Sequence, residues 1–253
     1  METLIETQSV EVVKTGTLEK TGEEYSLVLL SAQHIPQIIA LQDIAFADLT
    51  EQEKTFLLRK DSEFFKKHFT EGNAVLGIVH DGKLISQSVI VNPTAENPKT
   101  GIPDMELTKI LDKVTVLQCV IVDPAYRGNR LMSVMVDEWL QLSHEKGRTQ
   151  VLCEVALENS YSWSVFLKNG LHIERISVDP VDNAEVYTLH GELPALSKVF
   201  NKSAKKVISC PQKDIAQQKE LLAKGYRAAK FDPANGNLEF RPAPKKAPCP
   251  KNG

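Results

Sequence analysis

Short β-rich apolar runs alternate along this chain with stretches whose apolar positions recur every three or four residues, the pattern of a mixed α/β fold. Residues 25–30 (YSLVLL), 74–80 (AVLGIVH) and 83–91 (KLISQSVIV) read as strands. Asp81-Gly82 joins the last two. That pair predicts a tight hairpin, because both central residues of a type I′ turn need positive φ. Residues 115–123 (TVLQCVIVD) are continuously apolar, as expected of a strand buried on both faces. Beyond a turn at 124–129, apolar residues at 131, 134, 135, 139 and 142 mark one helix face, and Gly147 stops that helix. Residues 150–157 predict the next strand, Asn159 caps a helix that Gly170 ends, and 172–178 and 184–193 complete the strands.

The first third is read the same way. Residues 31–46 are helix-like, and Thr50 with Glu53 forms a capping box. The helix it opens is expected to carry Phe56, Leu57, Phe64 and Phe65 and to end near Gly72. Residues 92–113, with three prolines, form a long loop that could border a substrate site. The order is β-α-α-β-β-β-α-β-α-β-β, a mixed sheet with helices against its faces. Residues 1–24 are a strand-like arm or a loose N-terminal extension, and 25–193 the main domain. Beyond Pro194 a lysine-rich stretch precedes a β-α-β-β pattern, so 194–241 reads as a small C-terminal appendage. The Pro- and Lys-rich residues 242–253 read as a disordered tail.

Composition narrows the function classes. Over 253 residues, 42% are hydrophobic and 25% charged, which excludes a wholly disordered or fibrous protein. A formal net charge of −3 argues against a nucleic-acid partner, and no apolar run approaches the roughly 18–20 residues that cross a membrane. The acidic, polar N-terminus lacks the pattern of a signal peptide, so the cytoplasm is expected. The four cysteines and six histidines are dispersed, with no zinc spacing to read and no metal expected. Cys119 and Cys153 read as small core residues.

The chemistry concentrates at 120–132, where a buried strand runs through a turn into a helix. The first amides of that helix have no partner within it and suit a phosphate or diphosphate. Gly128 admits close backbone approach, while Arg127 and Arg130 add positive charge. Here the sequence resembles the GNAT superfamily of acyl-CoA-dependent N-acyltransferases, whose cofactor motif Q/R-x-x-G-x-G/A follows V-x-P-x-[YF]. Val122-Asp123-Pro124-Ala125-Tyr126-Arg127-Gly128 fits the lead-in. A second landmark of that family, an Asn opening the helix after the next strand, falls on Asn159. The resemblance spans roughly 25–193 and implies a central mixed sheet flanked by helices, with acetyl-CoA or another acyl-CoA as co-substrate. It implies cofactor contacts at Val120, Ile121, Val122, Arg127, Gly128, Asn129, Arg130, Leu131, Met132 and Asn159. An amide near Val120 to Val122 would stabilise the tetrahedral oxyanion.

Three departures stand out. Arg130 and Met132 replace the family's small residues. Phe166 occupies the position of the tyrosine that protonates the departing thiolate, leaving water, Tyr161, Tyr187 or no group for that role. Glu154, five residues before Asn159, stands where some members carry a general base, and otherwise is a plain strand carboxylate. The leading expectation is acetyl transfer to a primary amine of a small molecule or peptide by direct attack in a ternary complex. A non-catalytic acyl-CoA-binding regulatory module is the alternative. A peptide-binding or homodimerising role for the appendage is a third reading.

Overall fold

The computed structural model describes residues 5, 10–70, 72–96, 107–179, 183–194, 196 and 207–243. Among the described residues, eleven strands form one sheet in the order β1-β2-β3-β4-β5-β6-β8-β7-β10-β11-β9. They are β1 (Glu11–Thr17), β2 (Glu24–Leu29), β3 (Ala74–His80), β4 (Lys83–Val91), β5 (Val114–Val122), β6 (Gln150–Ala156), β7 (His172–Val178), β8 (Glu185–Glu192), β9 (Ile208–Pro211), β10 (Tyr226–Asp232) and β11 (Asn237–Pro242). Neighbours are antiparallel except β5 and β6, which run parallel. The Asp81-Gly82 turn has φ of 48° and 74° and sets His80 opposite Lys83, as the dipeptide predicts.

Two helix layers cover the faces. On one, α4 (Leu131–Glu145) and α5 (Ser160–Lys168) bury Trp139 and Trp163 against Leu27, Leu76, Val151 and Tyr187. On the other, α1 (Ile35–Ala47) brings Ile38 and Leu41 against Val75, Val89 and Val116. Each buried indole N–H has an acceptor, Thr115 Oγ1 for Trp139 and the Leu157 carbonyl for Trp163, both at 3.1 Å. These bonds remove the penalty of burying a polar atom in the core.

Residues 11–17 of the N-terminal segment form β1, which pairs with β2 and is tied to α4 by Lys14 and the buried Glu138 at 2.7 Å. At the other end β10 meets β7 through Ala228 and Ile173, so the same sheet continues into the β9-α6-β10-β11 unit, with α6 at Ile215–Ala223. The lysine cluster at 198–206 and most of the 242–253 tail lie outside the described residues. No helix of the described residues is long and apolar enough to cross a membrane.

Two local expectations need correction. The capping box is present, with Thr50 Oγ1 accepting from Glu53 N at 3.2 Å and Glu53 Oε2 from Thr50 N at 2.8 Å. It opens only α2 (Glu51–Lys54), and a separate α3 (Ser62–His68) carries Phe64 and Phe65. The break has a tertiary cause. Buried Gln42 on α1 accepts from Lys60 N at 3.0 Å and donates to Lys60 O at 2.9 Å, drawing the backbone out of the helix. Asp61 then recaps it, accepting from Phe64 N at 2.8 Å. Further, β5 is buried throughout only over its first four residues; from Gln118 to Val122 it is half-buried.

Candidate active site

The change in burial along β5 coincides with a bulge. Gln87 pairs with Ile121 and Val89 with Gln118, so Ser88 faces two residues, Cys119 and Val120. Cys119 takes φ +53°, a left-handed conformation that side chains other than glycine's rarely adopt. The parallel ladder to β6 reaches only Val116 and Leu152. Past that row the two strands separate.

The buried β4 side chains hold the bulge in shape. Gln87 Nε2 donates to the Cys119 carbonyl at 2.7 Å, and Ser86 Oγ to that of Ile121 at 2.9 Å. With the peptide groups of Cys119 and Ile121 facing β4, strand alternation turns the amides of Val120 and Val122 toward β6. That alternation puts both donors on the side of β5 past the end of its ladder with β6. Cys119 itself is half-buried on the strained bulge, not a plain core residue, and burial pushes its thiol up to about 11, so little thiolate exists at neutral pH. We predict that C119G keeps the activity and is no less stable than the wild type, because it relieves the left-handed strain that Cys119 already carries, while C119V, β-branched at positive φ, is less stable in denaturant melts and loses most turnover.

Glu154 lies on β6 beyond the last β5 rung, opposite Thr188 of β8. Burial, reinforced by Asp179 and opposed by Arg175, raises its carboxyl to about 8. At neutral pH such a group exchanges protons readily, the property required of a general base. Phe166 is buried edge-on to Trp139 with centroids 6.4 Å apart. Of the alternative acids, Tyr161 is 75% exposed. The Tyr187 hydroxyl is buried, donates to Gln218 Oε1 at 2.7 Å and is shifted upward by that burial.

The turn after β5 is built from its own side chains. Asp123 Oδ1 accepts from Ala125 N at 2.9 Å, and Lys83 Nζ stands 3.0 Å from its other oxygen. Buried Asn129 donates to the Tyr126 carbonyl at 2.9 Å. Gly128 has φ +85°, and Arg130, the N-cap of α4, has φ +55°. Arg130 thus takes the left-handed conformation for which the family motif supplies glycine. Among the described residues, the amides of Gly128, Asn129 and Arg130 donate to no backbone acceptor, and the first amides of α4 add to them by helix geometry. Leu131 is buried beneath this cradle and Met132 packs against the same core, as do Val120 and Val122, while Ile121 packs on the opposite face. Asn159 caps α5, its Oδ1 accepting from Ser162 N at 3.1 Å.

Sequence reading missed the bulge and the acidic partners of the arginines. Arg127 Nη1 is 2.6 Å from Asp48 Oδ2, and Arg130 Nη1 is 3.4 Å from Glu19 Oε1. It also missed the cluster formed by His172, Glu174 and His190, whose ligand atoms lie within 4.8 Å of one another. This donor set suits zinc. Its charges are already met within the protein. Burial raises the Glu174 carboxyl, but hydrogen bonds from His172, at 3.0 Å, and from Arg227 bring it down to about 2.

The model of the "Acetyltransferase (GNAT) family" matches residues 38–171. Among solved structures, the GNAT domain of S. lividans PAT superposes with a TM-score of 0.52 at 13% identity, covering 74% of this chain and 99% of that one. An N-acetyltransferase from Staphylococcus aureus Mu50 gives 0.51 at 11% identity, over 67% and 98% of the two chains. YncA, a putative acetyltransferase from Salmonella typhimurium solved with its cofactor acetyl-CoA, gives 0.50 at 11% identity, over 67% and 94%. Among curated proteins no sequence match is found.

Proposed function

Because the chain belongs to the GNAT acetyltransferase family, we propose that it transfers the acetyl group of acetyl-CoA to a primary amine by direct attack. The observation that carries this reading is the end of the β5–β6 ladder at Val116 and Leu152, with the β5 bulge and, on β6, Glu154 both lying past that last rung. The amides of Gly128 to Arg130 and the first turn of α4 hold the diphosphate. The thioester lies in the gap, with its carbonyl oxygen toward the Val120 and Val122 amides. Glu154 takes the proton that the amine must lose, directly or through one water. The amine nitrogen then bonds to the carbonyl carbon, and the negative charge gathers on the oxygen facing the two amides. Collapse of this intermediate breaks the C–S bond, and the second proton carried by the attacking nitrogen passes through water to the departing CoA thiolate, giving the amide and the free thiol by a route that needs no tyrosine at position 166. Holding amine and thioester side by side supplies much of the acceleration.

The rival is a regulatory module that binds acyl-CoA without turnover, favoured by the apolar Phe166. Release of free CoA thiol from acetyl-CoA, followed across small amines, peptides and aminoglycosides, separates the two. Amine-dependent release supports transfer. Tight acetyl-CoA binding with no release on any amine supports the rival.

A further inference from the structure

The cations that the motif places at the phosphate turn are already balanced. The Arg127 guanidinium pairs with Asp48 and that of Arg130 with Glu19, so an incoming anion meets each one together with a carboxylate. Lys83, beneath the turn, faces Asp123. Lys20 differs. Among the described residues no carboxylate pairs with its ammonium, which donates to the neutral carbonyl oxygen of Arg127 at 2.6 Å.

Its placement is built into the fold. Lys20 lies in the turn between β1 and β2, which is closed by Leu18 N to Glu23 O and Gly22 N to Leu18 O, both at 2.8 Å. Leu18 beside it is buried in the core. The Lys20 amide donates to Oδ1 of buried Asn129 at 2.9 Å, fastening this turn to the phosphate turn. As a result Lys20 Cε and Nζ lie 2.7 Å from the point where a Cβ on Gly128 would stand, directly against the loop glycine. An ammonium has three donors, and the Arg127 carbonyl engages one of them.

We infer that Lys20 is a phosphate ligand of acyl-CoA: its ammonium donates to the diphosphate held over Gly128 and the start of α4. This assignment rests on the acyl-CoA reading above and adds a residue from outside the 38–171 span that the family model matches. The physical basis is the charge balance. The bond to the Arg127 carbonyl already has an ionised donor, but a phosphate oxygen adds the attraction of a full negative charge on the acceptor. Lys20 therefore gains by sharing or exchanging its carbonyl partner for a phosphate oxygen, whereas Arg127 and Arg130 must first share theirs with an acid.

Calorimetry with CoA and with dephospho-CoA, which keeps the diphosphate but lacks the 3′-phosphate, tests this on the wild type, K20M and K20R. K20M is expected to bind CoA about tenfold more weakly and to show the same loss with dephospho-CoA. K20R should stay within about threefold, and the K20M deficit should shrink in high salt. The backbone bond to Asn129 survives both substitutions, so the melting temperature without ligand should not move. Wild-type binding matched or exceeded by K20M overturns the role of Lys20 and leaves the acyltransferase reading standing. A K20M loss seen with CoA but absent with dephospho-CoA overturns the diphosphate placement, moving the contact to the 3′-phosphate. Absence of CoA binding by the wild type brings down the acyl-CoA reading itself.

Discussion

Glu154→Gln is expected to lower kcat at neutral pH by about 100-fold or more while leaving the affinity for CoA unchanged. Glutamine matches the shape of the protonated carboxyl but cannot take a proton. The wild-type kcat/KM should rise with pH through an apparent pKa near 8, because only the ionised carboxylate acts as base. Burial is the main cause of that shift and Asp179 adds to it, so Asp179→Asn should move the acid limb of the profile to lower pH. Stability follows with the opposite sign. The folded-state value lies above the ordinary carboxylate value, so the folded protein holds the proton more tightly than the unfolded chain. Its stability therefore falls as the pH rises from about 4.5 to about 8. E154Q removes that penalty, and should melt with the wild type below pH 4 and above it at pH 9. A flat pH–rate profile together with a mild rate loss in E154Q would show the carboxylate to be structural.

Gly128→Val should have the largest effect on cofactor affinity. At φ +85° a β-branched side chain is strained, and left-handed backbone costs about 1–2 kcal/mol even for an unbranched residue. Its Cβ would also push into Lys20, whose flexible end can move but only by leaving the turn. The loop then either rotates, turning its amides away from the diphosphate, or keeps its shape and lets the valine obstruct the approach. Both predict an affinity loss of about tenfold or more, with Gly128→Ala intermediate. Calorimetry that gives G128V and E154Q equal CoA affinities would refute the assignment of the loop.

What the sequence made legible were features governed by near neighbours. The Asp81-Gly82 hairpin, the glycine stop after α4 and the Asn159 cap each depend on a few adjacent residues, and each stands where the local chemistry puts it. Features governed by distant partners were not readable. The break between α2 and α3 follows from Gln42, eighteen residues from the backbone it captures. The bulge at Cys119 is a property of register against β4, and nothing in TVLQCVIVD marks which residue will be unpaired. The same holds for charge. Arg127 and Arg130 read as free cations until Asp48 and Glu19 are brought beside them, and Lys20 carries no motif at all. Glu154 lay between these cases. Its distance from Asn159 suggested a role, but its elevated proton affinity comes from burial and from Asp179, on the segment after β7.

The central claim is that the turn from Asp123 to Arg130 grips the diphosphate of an acyl-CoA, and the thermal transition of the full chain titrated with CoA tests it most directly. A ligand bound only by the folded state adds about 2.7 kcal/mol at a hundred times its Kd. For a chain of this size that raises the melting temperature by roughly 5–10 °C. A saturable rise of that order, shared by acetyl-CoA and reduced in G128V, is the predicted result. A transition that stays in place at millimolar CoA would contradict the account.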